Sequence, residues 1–287
     1  MRRAGRGEGE RSIGRPCLVD DRWVGRRWVL RGKTRPGCLV RVRTILFCLL
    51  VGFFFGVPAA NAQQSCMSTV SSGPVIGATW TLAGSPYCIS GDISVFGLTI
   101  ESGVQVLVDG PFEIQVVTTI NAIGTEAAPI TFAARDESIP WKGLLFVDTP
   151  PGSSLAHCII EWSDDSGLEL INSSPTLEKC VFRNNRAAST GGAIYADISG
   201  GEVVIDGCEF VGNSAGGATG SGGAIYVRGD SVIRNSVIRD NKVVASRSSG
   251  TASAHGGGIY FASGDAVVEA TTITGNRAES PSRSSRG

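Results

Sequence analysis

The chain has 287 residues, 39 of them glycine, and its formal charges cancel. The balance is uneven: residues 1–62 hold 13 of the 26 Lys and Arg but only 4 of the 26 Asp and Glu. The remaining 225 residues carry 13 basic against 22 acidic groups, a net of −9, and an acidic surface repels phosphate backbones, which argues against nucleic acid as a partner.

Residues 1–40 are rich in Arg, Gly and Trp without any apolar period, and are read as a leader outside the fold or a misassigned start near Val40. Arg41 and Arg43 precede an apolar run over residues 45–57, Pro58 breaks it, and Ala60-Asn61-Ala62 supplies small residues. A basic start, a short apolar centre and an A-x-A end form a secretory signal, expected over 41–62 with cleavage after Ala62. Thirteen apolar residues fall short of the roughly 20 that a membrane span needs, so the exported chain is expected to carry no span. Residues 63–92 are assigned to an N-terminal cap, in which Cys66 and Cys88 are candidates for a disulfide, since export permits one. Gln63-Gln64-Ser65 lacks the apolar lead-in of a lipid-attachment site at Cys66.

From residue 93 short apolar strands alternate with turns, through Gly103, Gly110, Gly124 and the run WKGLLF at 141–146. Then a repeat emerges. LEKCVFRNN, IDGCEFVGN, IRNSVIRDN and VEATTITGN place Cys180, Cys208, Ser236 and Thr271 in one column, Phe182, Phe210, Ile238 and Ile273 in a second, and Asn185, Asn213, Asn241 and Asn276 in a third. A looser copy supplies Leu155, Cys158 and Ile160, with Ser163 in place of Asn. The first two columns stand two residues apart and so face one side of a strand. One such strand cannot bury its apolar face alone, but coil stacked on coil buries a continuous core. The Asn follows where the chain must turn; it tolerates left-handed backbone, and its amide can bond the Asn of the next coil. GGAIY at 191–195 and 222–226, and GGGIY at 256–260, mark a second corner in phase with the first, with an Ile entering the core. The fold class is therefore all-β, a right-handed parallel β-helix over 93–278, with 279–287 a tail or truncation point.

The pairing of GGAI with FRNN and FVGN resembles the repeats of polymorphic outer-membrane proteins and the wider group of right-handed β-helix repeat proteins, over residues 158–277. That resemblance implies a β-helix acting at the cell surface, often as an adhesin. The chain departs from those proteins in having no C-terminal β-barrel after Asn276, which is read as a C-terminally truncated fragment or a likeness confined to the solenoid.

Chemistry-bearing residues are few. Cys158, Cys180 and Cys208 read as inward thiols used as small apolar residues. His157 and His255 lie in different coils with no nucleophile motif beside them. Glu161, Asp164, Asp165 and Glu169 form the one dense acidic cluster, either a solvated turn or a site for a cation or a carboxylate pair. Only Lys179 and Arg183 follow that could handle an acidic sugar. Between the Asn and Gly-Gly corners lie stretches of 5, 8 and 14 residues, at 186–190, 214–221 and 242–255, expected as loops forming one ridge without aromatic residues. No catalytic, metal or cofactor residue is assigned. The expected function is a secreted or cell-surface, non-catalytic β-helix mediating adhesion or contact with a host, cell-surface or polysaccharide ligand, as a monomer or part of a larger surface protein. The alternative is a carbohydrate-active lyase or hydrolase, which an acidic pair beside exposed aromatics would favour.

Overall fold

Repeated strands with one apolar face fold by laying each copy against the last, so that backbone hydrogen bonds run from coil to coil along the whole stack. The computed structural model describes residues 65–246 and 252–280, and the backbone of two short strands, Asp21–Val24 and Arg27–Leu30, which pair antiparallel within a separate unit, Met1–Pro58. The signal segment and the tail beyond residue 280 lie outside the described residues. Among the described residues from Ser68 onward every pairing of strands is parallel, and only Leu82–Gly84 is helical, a single 3-10 turn.

Three sheets wrap the core, and a fourth of two strands, Thr219–Ser221 and Ser253–His255, pairs in the longer corner stretches. The first stacks nine strands, from Ser68–Val70 to Thr272–Thr274. Its inward column runs Val106, Phe132, Ile160, Phe182, Phe210, Ile238 and Ile273 in exact register. All but Ile273 are fully buried, and the Phe182 and Phe210 rings stack at 5.0 Å. Burying each such side chain contributes about 1.5–3 kcal/mol. The second sheet carries the inward column Ile114, Leu144, Leu168, Ile194, Ile225 and Ile259. In the third, Arg186–Ala187, Ser214–Ala215 and Lys242–Val244 occupy the stretches expected as loops, and Arg277–Glu279 follows the last Asn corner. Strands of two or three residues show no apolar period, so the sequence hides them. In the last described coil, Phe261, Val268 and Ile273 remain 36–50% exposed.

Ser68–Val70 and Gly73–Trp80, expected to act as a cover, pair parallel with the strands that follow and form the first coil of the stack. The Cys66–Cys88 disulfide ties this coil to the next.

The columns of small and polar residues hold phase. Asn185 Nδ2 donates to Asn213 Oδ1 at 3.1 Å, Asn213 to Asn241 at 2.9 Å, and Asn241 to Asn276 at 2.9 Å. Each Oδ1 also accepts the backbone N–H of the preceding Asn, and Ser163 Oγ donates to Asn185 at the upper end. These asparagines do not themselves take the left-handed conformation expected of them. The residue before each one does: Asn184, Gly212, Asp240 and Gly275 have φ of 56–65°. The Cys column is more than apolar filling, because the Cys208 Sγ and the Ser236 Oγ accept the N–H groups of Cys180 and Cys208. At the glycine corner Gly222 has φ +67°, and a Cβ on Gly223 would lie 2.0 Å from the Gly257 carbonyl oxygen.

Candidate functional site

Along a strand, alternate residues point outward, so the residue after each inward Ile of the second sheet lies on the surface. The parallel register places these outward residues in a row: Gln115, Leu145, Glu169, Tyr195, Tyr226 and Tyr260. The three tyrosines stack, Tyr195 on Tyr226 at 5.2 Å and Tyr226 on Tyr260 at 5.7 Å. Tyr226 is therefore enclosed between its neighbours. Tyr195 ends the stack, with Tyr226 on one face of its ring and the strand bearing Glu169 on the other side. His255 stands beside Tyr260, ring centres 5.9 Å apart.

Where the tyrosine row meets Glu169 the surface opens into a cleft of about 270 Å³, walled by Asp165, Ser166, Glu169, Ile171, Tyr195 and the corner from Ala187 to Thr190. Its floor is fixed by the turn before Leu168–Ile171. Ser166 sits at φ 62°, its Oγ donates to Gly191 O at 2.7 Å, and its N–H donates to Arg186 O at 2.9 Å. Trp141, fully buried, donates from Nε1 to Glu161 O and accepts at its carbonyl from Asp164 N–H. Only glycine fits at 143, where a Cβ would lie 2.2 Å from the Ser166 carbonyl oxygen. The turn is thus held from both neighbouring coils.

The electrostatics are one-sided. Burial, then the Asp165 and Glu113 carboxylates, push the Glu169 carboxyl above its usual range. Burial likewise pushes Glu113 up, opposed by Lys142 and reinforced by Asp92 and Asp165. Burial and the Asp197 carboxylate raise the Tyr195 phenol. Among the described residues the Glu113, Asp165 and Glu169 carboxylates make no hydrogen bond or ion pair. Five other outward acids are matched, Asp109 to Arg135, Glu161 to Arg183, Asp197 to Arg228, Asp206 to Arg234 and Glu209 to Arg239, whereas Glu126, Glu202 and Glu269 have no ion pair among the described residues.

The acidic cluster read from the sequence is therefore split. Asp165 and Glu169 line the cleft, Glu161 is taken by Arg183 on the first sheet, and Asp164 is exposed. Lys179 is occupied by Glu178. Sequence reasoning missed Glu113, which lies two coils before Glu169, and it missed the tyrosine row. The signal for the tyrosines was present: each follows the inward Ile of a GG-A/G-IY corner, so each must point outward. Among the described residues no group of three or more His, Cys, Asp or Glu is placed to hold a metal ion. Cys158, Cys180 and Cys208 are free and buried. A larger groove of about 440 Å³, between Gly77 and Gly152, has neither a charged nor an aromatic lining residue.

Residues 151–284 match the family described as the right handed beta helix region. No curated protein and no solved structure matches the chain. Together with the parallel pairing, the family match makes the fold an all-β, right-handed parallel β-helix. Among the described residues no helix is long and apolar enough to cross a membrane.

Proposed function

We propose that this β-helix is an exported, surface-acting protein that holds a polysaccharide along the outward face of its second sheet, without cleaving it. The observation that carries the reading is the row Tyr195, Tyr226, Tyr260 running into the cleft at Glu169. Stacked tyrosines present ring edges and hydroxyls along the row, which suit hydrogen bonds to a chain of sugars, and Tyr195 carries the row into the cleft. A row rising with the coils matches an extended polymer better than a small molecule. The signal pattern at 41–62, the Cys66–Cys88 disulfide and the resemblance to polymorphic outer-membrane protein repeats support a secreted or cell-surface adhesin.

The test is binding of the purified protein to a panel of polysaccharides, with Tyr195→Ala and Tyr226→Ala alongside. The reading expects at least tenfold weaker binding for Tyr195→Ala from a folded protein; unchanged binding by both variants overturns it. One observation favours a second reading, a glycan-cleaving enzyme: burial pushes the Glu169 carboxyl upward, as a general acid requires, and the Asp165 carboxylate lines the same cleft. Release of reducing ends or unsaturated products, lost in Glu169→Gln, would replace the first reading with the second.

A further inference from the structure

We infer that the outward face of the third sheet binds a linear acidic glycan, a polymer with carboxylate or sulfate groups on successive sugars. The site lies on a different side of the solenoid from the tyrosine row and stands independently of it.

Parallel register stacks Arg186, Ser214, Lys242 and Arg277 in one column, beside the column Ala187, Ala215, Val243 and Ala278. Arg186, Lys242 and Arg277 are exposed. Of the ten Lys and Arg side chains described, six make ion pairs, and the four that make none are Lys142, Arg186, Lys242 and Arg277. Three of those four therefore stand in a single line, although residues 63–287 carry a net charge of −9. Lys242 and Arg277 hold directly paired positions on strands about 4.8 Å apart, and like charges facing across neighbouring strands repel. An anion laid along the line relieves that repulsion.

The line runs into a cavity. Arg186 lines a space of about 110 Å³ with Trp162, Ser163, Asn184, Pro140 and Glu137. Trp162 is partly exposed there, whereas Trp80 and Trp141 are buried. A cation, a carboxylate, an amide and an indole around one space suit a sugar whose acidic group meets Arg186 while its hydroxyls donate to Glu137.

This composition selects among polyanions. Duplex DNA packs one charge into about 1.7 Å of its axis, which the acidic chain repels, and its phosphate backbone offers Glu137 no donor. An anionic membrane presents a plane of charge, but the cations form a line, and the next column ends in Val244 and Glu279. The acids near the line bound it without neutralising it. Asp164 and Asp165 belong to the turn stacked on Arg186, whose N–H donates to Ser163 O, and Asp240 is held by Arg239 at 3.2 Å.

Calorimetry on the purified protein tests this with polygalacturonate, dextran sulfate, a neutral glucan, single-stranded DNA and vesicles containing phosphatidylglycerol. The variants are Arg186→Gln, Lys242→Gln, Arg277→Gln, the triple, Lys142→Gln and Tyr195→Ala, each checked for native circular dichroism. The expected result is that an acidic glycan binds at least about tenfold tighter than DNA, vesicles or the neutral glucan. Each single variant in the line should weaken that binding about threefold and the triple about thirtyfold, as exposed charge contacts do. Lys142→Gln and Tyr195→Ala should leave it unchanged. The glycan should also shield a tryptophan from acrylamide quenching, and Trp162→Phe should abolish the shielding. Binding of polygalacturonate alone or of dextran sulfate alone upholds the site and tells carboxylate from sulfate. Binding of neither, equal losses in Lys142→Gln and Lys242→Gln, or DNA or vesicles bound as tightly as the glycan would overturn the inference. Glycan binding lost in Tyr195→Ala and kept in the triple variant would place the polymer on the second sheet, overturning this site and keeping the polysaccharide reading.

Discussion

Replacing Asn213 with Ala removes the middle rung of the asparagine ladder, and the cost follows from its bonds. Asn213 is fully buried. Its Oδ1 accepts from Asn185 N–H at 3.0 Å and Asn185 Nδ2 at 3.1 Å, and its Nδ2 donates to Phe182 O and Asn241 Oδ1, both at 2.9 Å. Without the side chain, the Asn185 amide and the Phe182 carbonyl lose these partners in a dry interior, at about 1–3 kcal/mol each. With the small cavity added, the loss should reach about 3–5 kcal/mol, a large part of the roughly 5–15 kcal/mol that keeps a domain folded. Asn276→Ala removes three similar bonds at the partly exposed end of the ladder, where water can replace them, and should cost about 1 kcal/mol. Urea unfolding followed by circular dichroism measures both, with an unchanged slope required so that midpoints report stability. The double variant Asn213→Ala/Asn241→Ala should cost less than the sum of the singles, because the pair shares a bond. Equal losses for Asn213→Ala and Asn276→Ala, or a loss below about 1 kcal/mol for Asn213→Ala, would refute the view that buried bonds hold the coils in phase.

Four further predictions use other features. Gly223→Ala should destabilise the fold severely, since its Cβ would meet the Gly257 carbonyl, whereas Gly216→Ala, with nothing nearer than 3.6 Å, should be tolerated; thermal unfolding separates them. Replacing Cys66 and Cys88 by Ser opens a cross-link with a sequence separation of 22 and should cost about 3 kcal/mol by the chain-entropy estimate, seen as a lower urea midpoint. Hydrogen bonding to the Cys180 sulfur, then burial, push the Cys158 and Cys208 thiols up while the same bonds hold Cys180 low; because all three sulfurs are buried, native protein should resist a colorimetric thiol reagent that titrates all three in denaturant. The folded chain holds the Glu169 proton more tightly than the unfolded chain, whose carboxyl keeps an ordinary value near 4.5. Its stabilising contribution is therefore full below that value and lost as pH rises through the higher folded one. Glu169→Gln should be more stable than the parent at pH 7, by less than about 1 kcal/mol because water screens a half-buried group, and the gap should close on acidification.

What the sequence disclosed followed from how each residue repeats. The Asn185–Asn276 column and the Gly-Gly corners recur with every coil, so their stacking could be argued before any coordinates. The left-handed turn was misplaced by one residue, because Asn184 and Asp240 as well as Gly212 and Gly275 can adopt it and no single residue type marks the column. The cleft was half legible. Asp165 and Glu169 stood in the acidic cluster, but Glu161 precedes the corner that separates two sheets, and nearness along the chain there means opposite faces. Glu113 comes from the irregular N-terminal coils, 56 positions before Glu169, and only the pairing of Gly143 with Glu113 and of Leu145 with Glu169 brings it near.

The ladders fix phase at corners, whereas the spacing between successive core phenylalanines and isoleucines varies from 22 to 35 residues. A coil can therefore lengthen at its third side, as between Asn241 and Gly256, without shifting the side chains above or below it. For evolution this makes each coil a nearly independent site of experiment. Insertions and deletions, which ruin most β-sheets by slipping their register, here change only the contour of one edge, and a surface can be remodelled while its core is inherited intact.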